Sequence, residues 1–425
     1  MFGVVRQSWA LLLGMLFLMT GNGLQGTVLG IRGGIEGFDA NTMAWVMSAY
    51  FLGFLGGSRL APWMIQRVGH VRVFAALGSM ISAAFILYAA VPDPWAWAVM
   101  RLIVGFCFSG VYVVAESWLN DNSSNETRGQ ALSAYMITQL VGILVAQAMI
   151  NFADPAGFTL FVIMSVLVSV SFAPILLSVS PAPPFAMTKG MTLKALFVTS
   201  PLGFVGMFFL GLVFAAMFGM SAVYGTEKGL SVIDITIFVS AFYVGGLVLQ
   251  YPVGWFSDRF DRRRLVLMLT VAGGVLTLLV MPLSQYFLIV VAGAFVIGGI
   301  ANPLYSLLIA HTADYLQPED MAAASSGLIF INGLGAILGP FAVGAAMNAF
   351  GADAYFAVVG ILFVIIAGYA LWRTTRRPAI PVEDTGTYTA VLPTASPVAV
   401  EVATEIAIEA AEESDAEENR EKSDT

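Results

Sequence analysis

Arg101 and Glu116 stand inside one long apolar run, 95–119, and they carry the most chemistry this sequence offers. At 100° per residue Arg101, Gly105, Tyr112 and Glu116 fall within about 60° of one another on a helix, so they make one polar stripe facing inward. The two charges lie about 22 Å apart along that axis and cannot pair with each other. Arg101 must find hydrogen bonds to carbonyls of the first helix, or else serve in binding or coupling. Glu116 lies within reach of Arg59 and Arg128, so it is read as half of an ion pair closing one side, with a proton-carrying role as the competing reading. Amide and phenol groups complete the set: Asn22, Gln25, Tyr112, Gln139, Asn302, Tyr305 and Asn332, with Arg101, are the expected substrate cavity. Each could equally serve as polar glue between helices.

Other chemistries lack their residues. The single cysteine, Cys107, allows no intramolecular disulfide or thiolate cage, and His70 and His311 are far apart in the sequence, so no metal site is expected. No Gly-rich phosphate loop or nucleophile elbow occurs. The chain is therefore not expected to be an enzyme, to need a cofactor, to bind nucleic acid or to be driven by ATP.

The elements that must position these groups follow from composition. Of 425 residues 58% are hydrophobic and 11% charged, with a mean hydropathy of +0.85, about half the charge of a soluble chain. Apolar segments lie near 8–31, 42–65, 71–91, 95–119, 128–151, 157–179, 200–225, 234–256, 264–283, 285–311, 321–348 and 354–372. Each suffices to cross a hydrocarbon core of roughly 30 Å, which takes about 20 residues. The fold class is an all-α membrane protein of about twelve transmembrane helices. The first segment is too long for a signal peptide and lacks a small-residue cleavage site, so it reads as a retained helix. Arg and Lys fall on alternate loops, with Arg32 and Lys228 nearly alone on the opposite side, which predicts both termini in the cytoplasm.

The chain repeats itself. Ser48–Gly53 returns as Ser240–Gly245 at an offset of 192, Arg67 and Arg72 map onto Arg259 and Arg264, and at an offset of 193 Gly105, Tyr112, Gln139 and Gly142 map onto Gly298, Tyr305, Asn332 and Gly335. Two six-helix bundles, 1–180 and 200–377, joined by a cytoplasmic linker 181–199, are expected, a layout suited to a solute site at the bilayer midplane. The tail, 378–425, holds twelve of the 27 acidic groups against Arg420 and Lys422. Pro378, Pro381, Pro393 and Pro397 interrupt it, and it is expected to be disordered, cytoplasmic and dispensable for the membrane fold.

Gly254-Trp-Phe-Ser-Asp258-Arg259-Phe-Asp261-Arg262-Arg263-Arg264 resembles the major facilitator signature G-x-x-x-D-R-x-G-R-R, and Arg101-Leu-Ile-Val-Gly105 resembles the R-x-x-x-G pattern of that superfamily's fourth helix. The first-half copy of the signature is degenerate, with Pro62 for the glycine and Gln66 for the aspartate. With Ala115-Glu116-Ser117, Arg128-Gly129 and Gln250-Tyr-Pro252-Val-Gly254 it resembles the YcaD-like branch over about residues 10–372. The resemblance implies a twelve-helix secondary transporter; a monomer of the bacterial inner membrane that moves a small molecule by alternating access, with protons as candidate coupling ions, is the expectation. Its cytoplasmic gate would comprise Arg67, Arg72, Glu116, Arg128, Gly254, Asp258, Arg259, Arg262 and Arg264. The seventh segment, rich in Phe and Met, predicts a substrate with an apolar portion. The competing reading is a transporter-like sensor or assembly partner acting through the acidic tail.

Overall fold

The computed structural model describes residues 2–121, 123–177, 191–317, 320–376, 380–381, 385–403 and 405–406. The apolar runs form the helices α1 (Phe2–Ile35), α2 (Ala40–Val68), α3 (His70–Ala90), α4 (Pro94–Asp121), α5 (Asn125–Met149) and α6 (Thr159–Leu177). After the short α7 (Leu193–Thr199) come α8 (Pro201–Ala215), α9 (Ser221–Glu227), α10 (Val232–Ser257), α11 (Arg262–Val280), α12 (Phe287–Ala313), α13 (Met321–Phe350) and α14 (Ala354–Thr374). A π-helical turn, Ala216–Met220, joins α8 to α9 into one span. Ten described spans are long and apolar enough to cross a membrane. Their outward side chains, such as Leu247, Val275 and Leu288, stay exposed, as a lipid-facing surface requires. Of the expected linker, 181–190 lies outside the described residues.

Capping and turn residues bound several helices where the hydropathy falls. Asp39 caps α2 by accepting from Thr42 N at 2.9 Å. Gly69 takes φ 85° between α2 and α3, a left-handed corner that a side chain would strain. Asp261 caps α11 by accepting from Arg263 N.

Packing repeats with the sequence. On α4, Gly105 lies against the Tyr50 carbonyl of α2, and on α12, Gly298 lies against the Phe242 carbonyl of α10. Tyr50 and Phe242 are themselves 192 residues apart. A Cβ at either glycine would enter backbone, so the duplicated glycines set the same close helix crossing in both halves.

α1–α6 pack together, as do α8–α14. The face where α1 begins and α14 ends is here the terminal face, and the opposite one the far face. At the far face the halves touch directly. Gly30 abuts Ala222 and Val223, Gly344 abuts the Ala40 carbonyl, and Asn151 Nδ2 donates to Thr236 Oγ1 at 3.1 Å. At the terminal face, residues 385–403 and 405–406 are wedged between the halves. Val391, Ala395, Ser396, Ala399, Val400, Val402 and Ala403 are buried, and 397–403 is helical. The expectation of a disordered tail thus does not hold for 385–403 and 405–406, while 378–379, 382–384, 404 and 407–425 lie outside the described residues. The physical reason is local composition: residues 385–400 carry no charge, so this stretch has the apolar surface that the glutamate-rich end lacks.

Candidate solute cavity and its plug

Between the halves lies a cavity with ≈ 140 Å³ open to the centres of water molecules. Asn22, Gln25 and Thr27 of α1, Tyr50, Phe51 and Phe54 of α2, and Arg101 of α4 line one side. Phe214, Met217, Phe218, Tyr243 and Asn332 line the other, and Pro393 and Thr394 of the tail complete the lining. The π turn brings Met217 and Phe218 to the wall, and Tyr355 OH donates to the Ala216 carbonyl that the widened turn frees. Phe218 stacks between Phe214, at 5.7 Å, and Tyr243, at 5.5 Å. The wall from the second half is aromatic and apolar.

Arg101 is 3% exposed and is the only charged residue among the described ones lining the cavity. Its Nη1 donates to Gln25 Oε1 at 2.7 Å, its Nη2 to Met47 Sδ at 2.9 Å, and its guanidinium carbon sits 4.7 Å from the centre of the Tyr50 ring. Gln25 in turn donates to Tyr88 OH at 3.0 Å. The first helix thus supplies a side-chain amide oxygen where a main-chain carbonyl was expected. An arginine at such depth costs about 2.5–3.5 kcal/mol on insertion scales, and an amide and a ring face offset part of that.

Of the eight cavity residues expected from sequence, Asn22, Gln25, Arg101 and Asn332 line the space. Tyr112 lies behind it, accepting from Asn22 Nδ2 at 3.3 Å. Gln139 is buried and accepts from Thr394 of the tail at 3.4 Å. Asn302 donates to the Gly298 carbonyl of its own helix, and Tyr305 packs edge-on to Phe214. Phe214, Met217 and Phe218 of the expected aromatic seventh segment do line the wall, whereas Tyr50, Phe54 and Tyr243 were passed over, since a lone aromatic in an apolar run gives no local sign of facing a cavity.

Five of the nine expected gate residues, Glu116, Arg128, Gly254, Asp258 and Arg262, hold the tail. Tyr388 N donates to Asp258 Oδ1 at 2.8 Å, and Arg262 binds the Gly386 carbonyl. A Cβ at Gly254 would lie 2.8 Å from the Tyr388 ring, so that glycine makes room for the tail. Glu116 accepts from Ser396 N at 2.9 Å and from Tyr135 OH at 3.2 Å. Arg128 pairs with Glu405 at 2.7 Å. The expected partners of Glu116 are engaged elsewhere: Arg128 of α5 pairs with Glu405 of the tail, and Arg59 lies 4.0 Å over the Phe330 ring. Arg262, 3% exposed, pairs with the equally buried side chain of Asp314, the residue that follows α12, and lies 3.9 Å from Asp258. Burial pushes the Asp314 carboxyl up, against the opposing pull of Arg262. Arg259 stacks over Trp255, Arg264 is 81% exposed, and Arg67 and Arg72 are exposed, so these four do not join the cluster.

Asp314, Gln250, Ser306 and Tyr388 were missed as site residues. Gln250 Nε2 donates to Tyr388 OH at 2.9 Å, and Ser306 Oγ accepts from Val391 N at 2.9 Å. The one available signal was the uncharged stretch 385–400 within an acidic tail.

Two packed sets of helices with repeated crossings, around one cavity, define a carrier-type membrane protein. The profile of the Major Facilitator Superfamily matches residues 11–241 and 203–403, and the chain belongs to that superfamily. It is a multi-pass membrane transporter of a small-molecule substrate. An uncharacterized major facilitator-type transporter, YcaD, of Escherichia fergusonii is 23% identical over 388 residues, 89% of this chain and 98% of that one. YcaD of Escherichia coli is 24% identical over 85% of this chain and 92% of its own length. Among solved structures, the nucleoside transporter NupG superposes with a TM-score of 0.70 at 15% identity, over 87% of this chain and 100% of that one. A bacterial homologue of the human lysosomal transporter Spinster, in an inward-facing and unoccupied conformation, gives 0.64 at 15%, over 96% and 98%.

Proposed function

We propose that this chain is a secondary active transporter that moves a small solute with an apolar portion across the bacterial inner membrane by alternating access, with the terminal face in the cytoplasm. The observation that carries the reading is the cavity itself. It sits between repeated halves that touch at the far face, and the tail fills its exit at the terminal face. Sidedness rests on charge: Arg67, Arg72, Arg128, Arg259, Arg262, Arg264, Arg373 and Arg376 all belong to the terminal end. In this reading the conformation is inward-facing and plugged, and residues 385–406 must leave before solute can be released to the cytoplasm. Protons remain the candidate coupling ions, with Glu116 acting as the tail's anchor.

The test is counterflow in proteoliposomes, screened over radiolabelled organic solutes, in the full chain. Trans-stimulated uptake that saturates, and that fails when Gly105→Leu jams the α2–α4 crossing, supports the carrier. A protein that moves none of the solutes, whose cellular phenotype vanishes when 385–425 are removed, supports instead the sensor reading. The docked acidic tail is the feature that favours that second reading.

A further inference from the structure

The buried arginines of this protein fall into two kinds. Arg262 and Arg263 have carboxylates beside them, Asp314 and Asp261. Arg101 has none within ion-pair distance among the described residues, although it is as buried as Arg262. Its Nε has no hydrogen-bond partner, and its Nη2 is held by a thioether, a weak acceptor. Nε and Nη2 form the edge of the guanidinium that a carboxylate grips with two parallel hydrogen bonds. The Nη1 end is tied to Gln25 and the plane is backed by Tyr50, so the group is held while that edge is left for another acceptor.

From this geometry we infer that the cavity takes a small organic anion, one carboxylate or similar acidic group on an apolar or aromatic body, with Arg101 as its counter-ion. This rests on the carrier reading only in supposing that the cavity is the solute site. The anion completes a cation that the protein has taken out of water and left without a charge partner, and it displaces only the Met47 contact. The body of the solute lies against Phe54, Phe214, Phe218 and Tyr243, where flat rings or short aliphatic chains are accepted and further charge is excluded. A cationic solute is repelled, because Arg101 is the only charge among the described residues lining the space. A neutral polar solute gains hydrogen bonds but not the charge match.

The experiment is calorimetric titration of the purified full chain in lipid nanodiscs with three isosteric probes: 2-naphthoate, 2-naphthamide and 2-naphthylmethylammonium. The expected order is carboxylate over amide by about tenfold or more, the range of charged over neutral hydrogen bonds, with no binding of the ammonium. Arg101→Gln should remove the preference for the carboxylate, and Arg101→Lys should retain part of it through charge without the two-point grip. The comparison among probes on the parent needs no variant, so a misfolded Arg101→Gln leaves the test intact. Amide binding equal to carboxylate binding overturns the inference. So does the absence of carboxylate binding to both the parent and the Tyr388→Ala chain, whose plug is loosened. Binding without transport in vesicles would keep the inference and sink the carrier reading, whereas saturable transport of the amide in preference to the carboxylate would do the reverse.

Discussion

Replacing Tyr388 by alanine should release the tail from the terminal end of the cavity. The ring lies over Gly254, its hydroxyl accepts from Gln250 at 2.9 Å and donates to the Pro303 carbonyl at 3.4 Å. Truncating a fully buried aromatic to alanine costs about 3–5 kcal/mol. Tyr388 is half-buried, which reduces the loss to about 2 kcal/mol. Losing the hydroxyl contact to Gln250 adds about 0.5–1.5 kcal/mol. A total near 3 kcal/mol shifts the docked-to-released ratio by roughly 100-fold, at about 1.4 kcal/mol per decade. Ala403 is 2% exposed when docked, so Ala403→Cys in a Cys107→Ser background reports release through the rate of maleimide labelling. When opening and closing are fast, that rate tracks the open population. Tyr388→Ala should raise it by one to two decades, and Gly254→Ala should act in the same direction by pushing the ring out. Equal labelling rates in parent and Tyr388→Ala would refute the reasoning, because the tail would then owe nothing to this contact.

Tail docking should strengthen in acid. Burial, then the neighbouring Glu405 carboxylate, holds the Glu401 carboxyl above its ordinary 4.5 in the docked state. An acid raised on docking contributes fully below its free value and loses that contribution as pH rises through the docked value. Labelling at Ala403→Cys, normalised to an exposed reference cysteine, should therefore slow as pH is lowered toward about 5; a flat profile would remove Glu401 from the account. Arg262→Gln leaves Asp314 buried and uncompensated, which should cost about 3–5 kcal/mol. Thermal unfolding should show a large drop that Arg262→Gln with Asp314→Asn partly restores, and additive losses would argue against the pair. Glu116→Gln keeps an acceptor for Ser396 N and Tyr135 OH but loses the charge, about 1 kcal/mol, so labelling should rise about fivefold. Any proton-gradient dependence of uptake should survive that change. Gradient-driven uptake that disappears in Glu116→Gln while exchange continues would make Glu116 a proton carrier instead.

The legible part of this protein was whatever each segment decides alone or repeats at a fixed interval. Span positions are a running sum of side-chain hydropathy, and lipid leaves no other way to satisfy the backbone. The duplication was visible because it copies Gly, Ser and Arg in one register, and the paired crossings at Gly105 and Gly298 are its packing counterpart. Arg101 was legible as an intramembrane cation needing an acceptor, since the cost of burial depends on the residue and its depth.

What the tertiary structure decided was which distant groups meet. The partner of Asp258 is a backbone amide 130 residues on, and that of Glu116 an amide 280 residues on. A peptide N–H exists at every residue but proline, so no sequence pattern marks the one that docks. The average acidity of 378–425 also hid an uncharged stretch whose valines and alanines gain burial only because two bundles leave a gap of the right width. Hydropathy and repetition are properties of the chain alone, so they determined the helices and their two-fold arrangement. Cavity, plug and the unpaired edge of Arg101 are properties of the space between bundles, which exists only after the helices have packed.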